Sequence, residues 1–289
     1  MAEDAAESGG LKRPPINISG AKFLLAIFPS SKDHNSYSEL QAKLSQINCV
    51  AGMIAPFAQG QTRTTHMNVS TFTLRRLGAI EQALLLLSAT CSAAYFVSKS
   101  WQPFPGSVAL KGLCIAPLAV VAVRLMTPPN SFLLGGALAF STLGDVFLDW
   151  GGRFVPGLGA FLVAHLFYIA LFVRNGERPV EISGNQSITL AALAFFSLAL
   201  TLWLWPGLGA LAVPVLCYIG ALTLMVATAI LGRFRQSWIV WGALLFLISD
   251  SLIGINRFKT PVPLRDHLVW ATYYLGQCGI ALGFLREQD

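Results

Sequence analysis

Charged side chains are scarce in this sequence. Asp, Glu, Lys and Arg make up 12% of its 289 residues, whereas hydrophobic residues make up 54%. Because soluble globular domains carry about 25% charged residues, this composition excludes a soluble fold for most of the chain. The net charge of +6 is not gathered into a basic stripe, so we expect no nucleic-acid partner. Its Lys and Arg residues lie mostly between apolar stretches, where they act as topology signals.

The motifs of several common enzyme classes are also missing. The chain has no GxSxG elbow, no HExxH, no P-loop and no GxGxxG, which argues against the corresponding hydrolases, metalloproteases and nucleotide-binding proteins. It has neither a CxxC pair nor a Cys/His zinc spacing. We therefore expect the five cysteines to be small buried residues; they are Cys49, Cys91, Cys114, Cys217 and Cys278.

Long apolar stretches fill the chain from Leu77 onward. Each is close to the ~20 residues that a helix needs to cross a bilayer. The predicted spans are approximately 78–98, 106–126, 131–150, 155–173, 187–205, 208–231, 237–256 and 267–285. Only Trp205-Pro206-Gly207 separates the fifth from the sixth, so seven spans is the alternative. The sequence predicts an all-α, polytopic membrane helix bundle of about eight transmembrane helices.

Residues 1–75 differ from the rest in composition. They mix Ser, Lys, Asp, Glu and Pro with short apolar patches such as 23–28, which is too short to span a membrane. We divide the chain into an N-terminal arm, residues 1–75, that is poorly structured or interfacial, and a transmembrane domain, residues 76–289, that carries the candidate site.

The distribution of Lys and Arg predicts the orientation of the spans. With eight spans, fourteen of these residues lie on the side of the N-terminus and five on the other, with Lys111 inside a span. The positive-inside rule then places both termini in the cytosol. Gly144-Asp145…Arg153-Phe154 closes the third span, and the similar Ser249-Asp250…Arg257-Phe258 closes the seventh, four spans later. This echo suggests a parallel 4+4 repeat.

Two aspartates lie deep inside predicted spans. A carboxylate at such depth costs roughly 2.5 kcal/mol or more, so an intramembrane acid is a functional-site hypothesis by default. At 1.5 Å per residue, Asp145 lies roughly 8 Å and Asp250 roughly 9 Å from the non-cytosolic ends of their spans. Lys111, near the matching end of the second span, and His165, near the middle of the fourth, have comparable depths. We expect these groups, together with Tyr273, Tyr274 and Gln277 of the last span, to turn inward and share one polar cavity.

Structural roles are the alternative for each of these residues. Asp145 can pair with Lys111 purely for stability, and Ser249 and Ser251 can donate hydrogen bonds to Asp250. His165 can be a hydrogen-bonded core residue. Three further polar residues have a simpler interpretation: Asp149 as a solvated interfacial acid, and Tyr168 and Tyr218 as packing aromatics.

Metal chemistry has little support in the sequence. Asp145, Asp250 and His165 offer ligand atoms that zinc accepts, but one histidine and two scattered acids form a weak pattern, so we predict neither a metal nor another cofactor. Two carboxylates in a low-dielectric site instead suit acid–base chemistry.

These residues, in this order, resemble the lysoplasmalogenase (YhhN-like) family of integral membrane proteins. The resemblance is carried by Gly144-Asp145, Gly157…Phe161…His165…Tyr168, Gly242-Ala243…Phe246…Ser249-Asp250, Tyr274…Gln277 and a lysine in the second span, Lys111. It covers about residues 76–286 and includes the eight-span layout.

The resemblance implies a hydrolase that cleaves the vinyl ether bond of lysoplasmalogen to a fatty aldehyde and glycerophosphocholine or glycerophosphoethanolamine. It implies a lysophospholipid substrate, contact with membrane lipid and residence in the endoplasmic reticulum. The expected catalytic residues are Asp145, Asp250 and His165, and the expected substrate-binding residues are Lys111, Ser249, Tyr168, Tyr274 and Gln277. A proton-coupled or lipid-related transporter is the alternative, since membrane acids and a histidine also fit a carrier. A scaffolding protein would leave two buried acids unexplained, and the sequence gives no oligomeric state.

Overall fold

The structure, a computed structural model, describes residues 77–151, 153–177 and 181–288. The predicted N-terminal arm and its apolar patch at 23–28 lie outside these residues. Within the described ranges every regular element is helical, and eight α-helices follow one another along the chain. They are α1 (Ala79–Ser98), α2 (Ser107–Leu125), α3 (Asn130–Asp149), α4 (Phe154–Asn175), α5 (Gly184–Leu208), α6 (Ala212–Leu231), α7 (Ser237–Phe258) and α8 (Arg265–Glu287). The predicted all-α fold is confirmed for this part of the chain.

Seven helical segments of the described chain are long and apolar enough to cross a membrane, and the longest, Gly184–Leu231, spans 48 residues. At 1.5 Å per residue it would measure about 70 Å as one rod, more than twice the ~30 Å of a bilayer core. The short 3₁₀ turn Gly209–Leu211 instead divides it into α5 and α6. The two helices run back along each other, since Thr223 Oγ1 of α6 donates to Ser197 Oγ of α5 over 2.8 Å. The eight helices therefore occupy the eight predicted spans, while the suggested internal repeat stays a prediction.

The helices form a ring with one helix outside it. Helix α1 packs on α2, α2 on α3 and α3 on α4; α4 packs on α6, α6 on α7 and α7 on α8, and α8 closes the ring against α1 and α2. Helix α5 packs on α6 and α7, and only four of its residues are buried. Helices α7 and α8 approach each other closely, since a Cβ added to Gly242 would lie 2.7 Å from the carbonyl oxygen of Gly276. Small residues at this contact let the two backbones meet.

Large apolar side chains cover the outside of the ring. Phe195 is 74% exposed, and Ile188 and Val213 are each 70% exposed, as expected for a surface in contact with lipid tails.

The cysteines differ from our expectation: among those in the described residues, Cys91 and Cys278 are half-buried rather than buried, and Cys49 lies outside these residues. Cys217 is exposed, whereas Cys114 is buried. In lipid an exposed apolar thiol carries no hydrophobic penalty, which removes the reason for burying it.

The loops α1–α2, α3–α4, α5–α6 and α7–α8 lie at one end of the bundle, which we call the cavity end. The opposite end holds the remaining loops and the end of α8. Buried aromatic rings pack the interior toward the opposite end, where Phe172 and Phe284 stack with centroids 5.6 Å apart. This packed layer fills the interior on that side, whereas the open space inside the ring lies toward the cavity end in the described part of the molecule.

Candidate active site

A cavity of about 710 Å³ opens inside the ring at the cavity end. It is bounded by α2, α3, α4, α7 and α8, and by residues that follow α1. Most of its lining is polar, which is unusual for space inside a membrane bundle and marks a functional pathway or site. The charged residues that line it are Lys99, Lys111, Asp145, Asp149, Arg153, Asp250, Arg257, Arg265 and Asp266. Both predicted catalytic aspartates are therefore in its wall.

Asp145 belongs to a centre that contains a cation. Lys111 Nζ lies 3.5 Å from Asp145 Oδ1 and 2.8 Å from Asp149 Oδ1. Tyr273 donates its hydroxyl hydrogen bond to Asp145 Oδ2 over 2.7 Å, and Tyr95 donates to Asp149 Oδ2 over 2.5 Å. Asp145 and Lys111 are both buried. One lysine thus holds two carboxylates, with a tyrosine on each.

Helical spacing explains this arrangement. Asp145 and Asp149 are four residues apart on α3 and so point to the same side of the helix. The expectation that Asp149 is a solvated interfacial acid was wrong, since its side chain is only 18% exposed and it is the nearer partner of Lys111. Long lysine side chains extend toward the nearest polar region, which here lies toward the end of α3. Tyr95 was also missed; its signal is its place on α1 one turn before Lys99, whose Nζ donates to the Tyr95 hydroxyl over 2.7 Å.

Asp250 belongs to a second centre that contains no cation. Tyr218 donates its hydroxyl hydrogen bond to Asp250 Oδ2 over 2.5 Å, and His165 Nε2 lies 3.8 Å from the same oxygen. His165 is fully buried, with its ring edge-on to Tyr218 and Phe246 at centroid distances of 5.1 and 5.0 Å. No lysine or arginine of the described ranges lies within ion-pair distance of Asp250.

The neighbouring serines do not donate hydrogen bonds to Asp250, which is what its structural alternative required. Ser249 Oγ donates to the Val269 carbonyl over 3.1 Å, and Ser251 Oγ donates to the Leu247 carbonyl over 2.7 Å. Consecutive residues on a helix point about 100° apart, so hydroxyls adjacent in sequence to Asp250 reach other groups more easily. Tyr218, interpreted from sequence as a packing aromatic, is instead the hydrogen-bond donor to this acid.

Three of the predicted substrate-binding residues lie in the bundle interior rather than in the cavity wall. Tyr168 donates its hydroxyl hydrogen bond to Gln277 Oε1, and both side chains are fully buried. The Tyr274 hydroxyl shares a 2.9 Å hydrogen bond with Ser88 Oγ. By contrast, Ser249 and Lys111 do line the cavity. The substrate-binding roles of all five residues stay predictions.

An apolar cleft adjoins the polar cavity. It is bounded by side chains of α4, α5, α6 and α7, including Leu158, Phe196 and Leu200. The residues that line both spaces are Leu148, Phe154, Phe161, Asp250 and Ile253. Asp250 is the only acid among them, so its carboxyl group stands at the boundary between a polar and an apolar compartment.

The described side chains of the site do not form a metal-binding group. In the ranges that the structure describes, no three His, Cys, Asp or Glu side chains are grouped closely enough to hold a metal ion. The two ring nitrogens of His165 have no hydrogen-bond partner among the described residues. Because His165 is fully buried and lines neither the cavity nor the cleft, it can act on a bound molecule only through its neighbour Asp250. The arrangement can therefore supply carboxyl groups and phenolic hydroxyls to a reaction at the boundary of the two compartments, with an imidazole beside Asp250.

The fold and site define a polytopic membrane protein whose acidic residues line a cavity inside the helix ring. A family model described as the YhhN family matches residues 106–284, and the chain belongs to that family. The match includes every residue of the two aspartate centres except Tyr95, which lies just before it.

Known relatives agree with this membership. The chain is 38% identical over 186 residues to "Lysoplasmalogenase" of Mycobacterium bovis, covering 63% of this chain and 71% of the relative. It is 36% identical over 177 residues to human "Lysoplasmalogenase TMEM86B", covering 61% and 72%. Rat "Lysoplasmalogenase TMEM86B" is 31% identical over 223 residues, covering 76% and 91%. No solved structure gives a significant match.

Proposed function

We propose that this protein is a lysoplasmalogenase that hydrolyses the vinyl ether bond of a lysoplasmalogen. The observation that carries the proposal is the position of Asp250, an acid without a cationic partner, where a polar cavity meets an apolar cleft. The relatives named lysoplasmalogenase support the same reaction. The products are a fatty aldehyde and a glycerophospho-base.

The two compartments suit the two parts of a single-chain phospholipid. The hydrocarbon tail lies in the apolar cleft, where burial of methylene groups stabilises binding. The glycerol and the phosphate-bearing headgroup lie in the polar cavity. The vinyl ether oxygen joins tail and glycerol, so this placement brings the reacting bond to the boundary residues and to Asp250.

Protonation begins the reaction. Asp250 donates a proton to the alkene carbon next to the ether carbon, which leaves an oxocarbenium ion. Asp250 is assigned this role because it contacts no lysine or arginine in the described chain, whereas Asp145 and Asp149 share Lys111. A correctly placed general acid typically contributes about 10²–10⁴-fold to the rate.

Addition of water completes the reaction. The Asp145 carboxylate stabilises the positive oxocarbenium ion and orients the water molecule that adds to it. The resulting hemiacetal collapses to the aldehyde and the free glycerol hydroxyl, and the released proton restores the acid. One acid thus donates the proton and the other stabilises the cation, as the two carboxyl groups of glycoside hydrolases do. His165, next to Asp250, relays a proton or orients the carboxyl group.

The orientation of the chain follows from its basic residues. We infer that both termini are cytosolic, since the opposite end of the bundle carries Arg124, Arg174 and Arg233. The cavity then opens toward the lumenal leaflet. We place the protein in the endoplasmic reticulum, as the family resemblance implies.

One assay tests the reaction class. Purified protein in detergent is given three lysophosphocholines that differ only in the linkage of the tail: a vinyl ether, a saturated ether and an acyl ester. We expect aldehyde from the vinyl ether alone, because only that bond yields an oxocarbenium ion on protonation. Release of fatty acid from the ester would make the protein a different lipid hydrolase. Absence of turnover in detergent, with movement of a lipid or proton across sealed vesicles, would make it a carrier.

A further inference from the structure

Three of the cations that line the polar cavity have no acidic partner in the described ranges. One is Lys99, whose Nζ donates to the Tyr95 hydroxyl and to Gln102 Oε1. Lys111 is held by Asp145 and Asp149, and Arg265 Nη1 is held by Asp266 Oδ1 at 2.7 Å. Arg153 and Arg257 also line the cavity, yet neither has a carboxylate within ion-pair distance in the described ranges. The mouth of the cavity therefore has an excess of positive charge that the protein itself does not balance.

Aromatic rings hold both guanidinium groups in place. Arg257 Cζ lies 3.8 Å from the ring centroid of Phe154, and Arg153 Cζ lies 4.2 Å from that of Trp150. A guanidinium group stacked on a ring keeps its N–H donors free along its edges. Planar pairs of N–H donors match the oxygen atoms of a phosphate group. Phe154 also lines the apolar cleft, so Arg257 is held beside the boundary of the two compartments.

Helix geometry relates Arg257 to the proposed acid. Arg257 follows Asp250 by seven residues on α7, which places it on almost the same face and about 10 Å further along the axis. In a lysoplasmalogen six bonds separate the carbon that becomes the oxocarbenium centre from phosphorus, at most about 8 Å with bonds of about 1.5 Å. A hydrogen bond from N–H to a phosphate oxygen adds about 3 Å. The separation of the two residues therefore fits the separation of the reacting bond and the phosphate.

We propose that Arg257, assisted by Arg153, binds the phosphodiester of the lysophospholipid headgroup and so sets the depth at which the reacting bond reaches Asp250. This subsite rests on the proposed function and refines it. It predicts that a phosphate in the headgroup, rather than the base attached to it, is what the enzyme recognises. Arg257 binds substrate and takes no part in proton transfer.

The test separates binding from turnover. Binding of the saturated-ether lysophosphocholine, which cannot react by this mechanism, is measured for the wild type, Arg257→Gln, Arg153→Gln and the control Lys259→Gln. Lys259 is an exposed cation of the same region that does not line the cavity. We expect Arg257→Gln to weaken binding about ten- to hundredfold, the range for loss of a charge-assisted hydrogen bond. We expect a smaller loss for Arg153→Gln and none for the control. Unchanged binding in Arg257→Gln would overturn the proposal.

Turnover of a headgroup-free substrate supplies the second measurement. Arg257→Gln should raise KM for the vinyl ether lysophosphocholine with little change in kcat, and leave hydrolysis of a 1-alkenylglycerol unchanged. Equal losses on both substrates would mean that Arg257 is merely structural and would refute the subsite. If the Gln variant does not fold, Arg257→Lys replaces it, with a loss of several-fold confined to the phosphate-bearing lipid.

Two further results distinguish the phosphate subsite from the proposed function and from a site for a free anion. If the wild type binds the ether lipid through Arg257 but hydrolyses no vinyl ether, the proposed function is wrong while the phosphate subsite stands. Inorganic phosphate is added at millimolar concentration as a competitor. We expect it to displace the lipid poorly, because it lacks the tail. Tight Arg257-dependent binding of phosphate alone would assign the site to a free anion and refute the lipid assignment.

Discussion

Asp145 and Asp250 line the same cavity but have opposite kinds of partner. Asp145 lies beside Lys111, which it shares with a second carboxylate, so its charge is partly balanced within the protein. Asp250 accepts a hydrogen bond from a tyrosine hydroxyl and lies beside a buried histidine ring, with no lysine or arginine within ion-pair distance in the described ranges. Removing one member of a buried ion pair leaves a charge in low dielectric, whereas neutralising an acid that has no cation leaves nothing unbalanced. Substitutions in the Asp145 centre should therefore lower mainly the stability of the protein, and substitutions in the Asp250 centre should lower mainly its activity.

The sharpest test of this contrast is Asp250→Asn. We expect aldehyde release to fall about 10³-fold, because an amide cannot donate the proton on which the reaction depends. The free energy of unfolding should change by no more than about 1 kcal/mol, since only the hydrogen bond from Tyr218 is altered. Turnover in detergent and the thermal midpoint are measured on the same preparation.

The matched control is Glu177→Gln, the same chemical change on an exposed acid that follows α4. It should leave both turnover and midpoint unchanged. A purified Asp250→Asn variant with near-wild-type aldehyde release would remove Asp250 from the mechanism and with it the distinction between the two centres.

Substitution in the centre that contains Lys111 should act mainly on stability. Lys111→Met leaves Asp145 and Asp149 without a counter-charge, so we expect a loss of about 3 kcal/mol or more in stability. Adding Asp149→Asn to this variant should restore part of the loss, because one of the two unbalanced carboxylates is then gone. Thermal unfolding in one detergent measures both, with Lys259→Met as the control. If Lys111→Met unfolds at the same temperature as the control, the ion pairs contribute little to the fold.

The helices could be predicted from sequence because the bilayer fixes their length. The third span was expected at 131–150 and is Asn130–Asp149; the seventh was expected at 237–256 and is Ser237–Phe258. The uncertain boundary near Pro206 is an instructive exception. Helix α5 continues through Pro206 and ends only before Gly209, whose φ of 51° lies in the left-handed region that glycine adopts at little cost. The break thus depends on a backbone conformation that hydropathy does not report.

The partners of the polar residues were harder to predict. Depth along a span, counted in residues, placed Asp145, Asp250, Lys111 and His165 in the same half of the membrane, and the first three line one cavity. Depth does not give the direction in which a side chain points or which helices are neighbours. Pairings that depend on helix packing, such as Tyr218 of α6 with Asp250 of α7, therefore became visible only in the structure.

The two tyrosines offer the finest comparison between the centres, because each donates one hydrogen bond to one acid. Tyr218→Phe should lower kcat about tenfold. Asp250 then loses its only hydroxyl donor in the described chain, and with it a fixed orientation toward the alkene. A hydrogen bond of this kind contributes about 1 kcal/mol or somewhat more. Tyr273→Phe should lower kcat less than about threefold, because Lys111 still holds the Asp145 carboxylate by charge. Both variants remove a single oxygen atom. For each, kcat is measured on the vinyl ether lipid and normalised to the amount of folded protein. The comparison then shows how much catalysis depends on the acid to which each hydroxyl donates. Equal effects would show that the charge on Lys111 does not distinguish the two centres during catalysis, and a larger effect of Tyr273→Phe would exchange the roles assigned to Asp145 and Asp250.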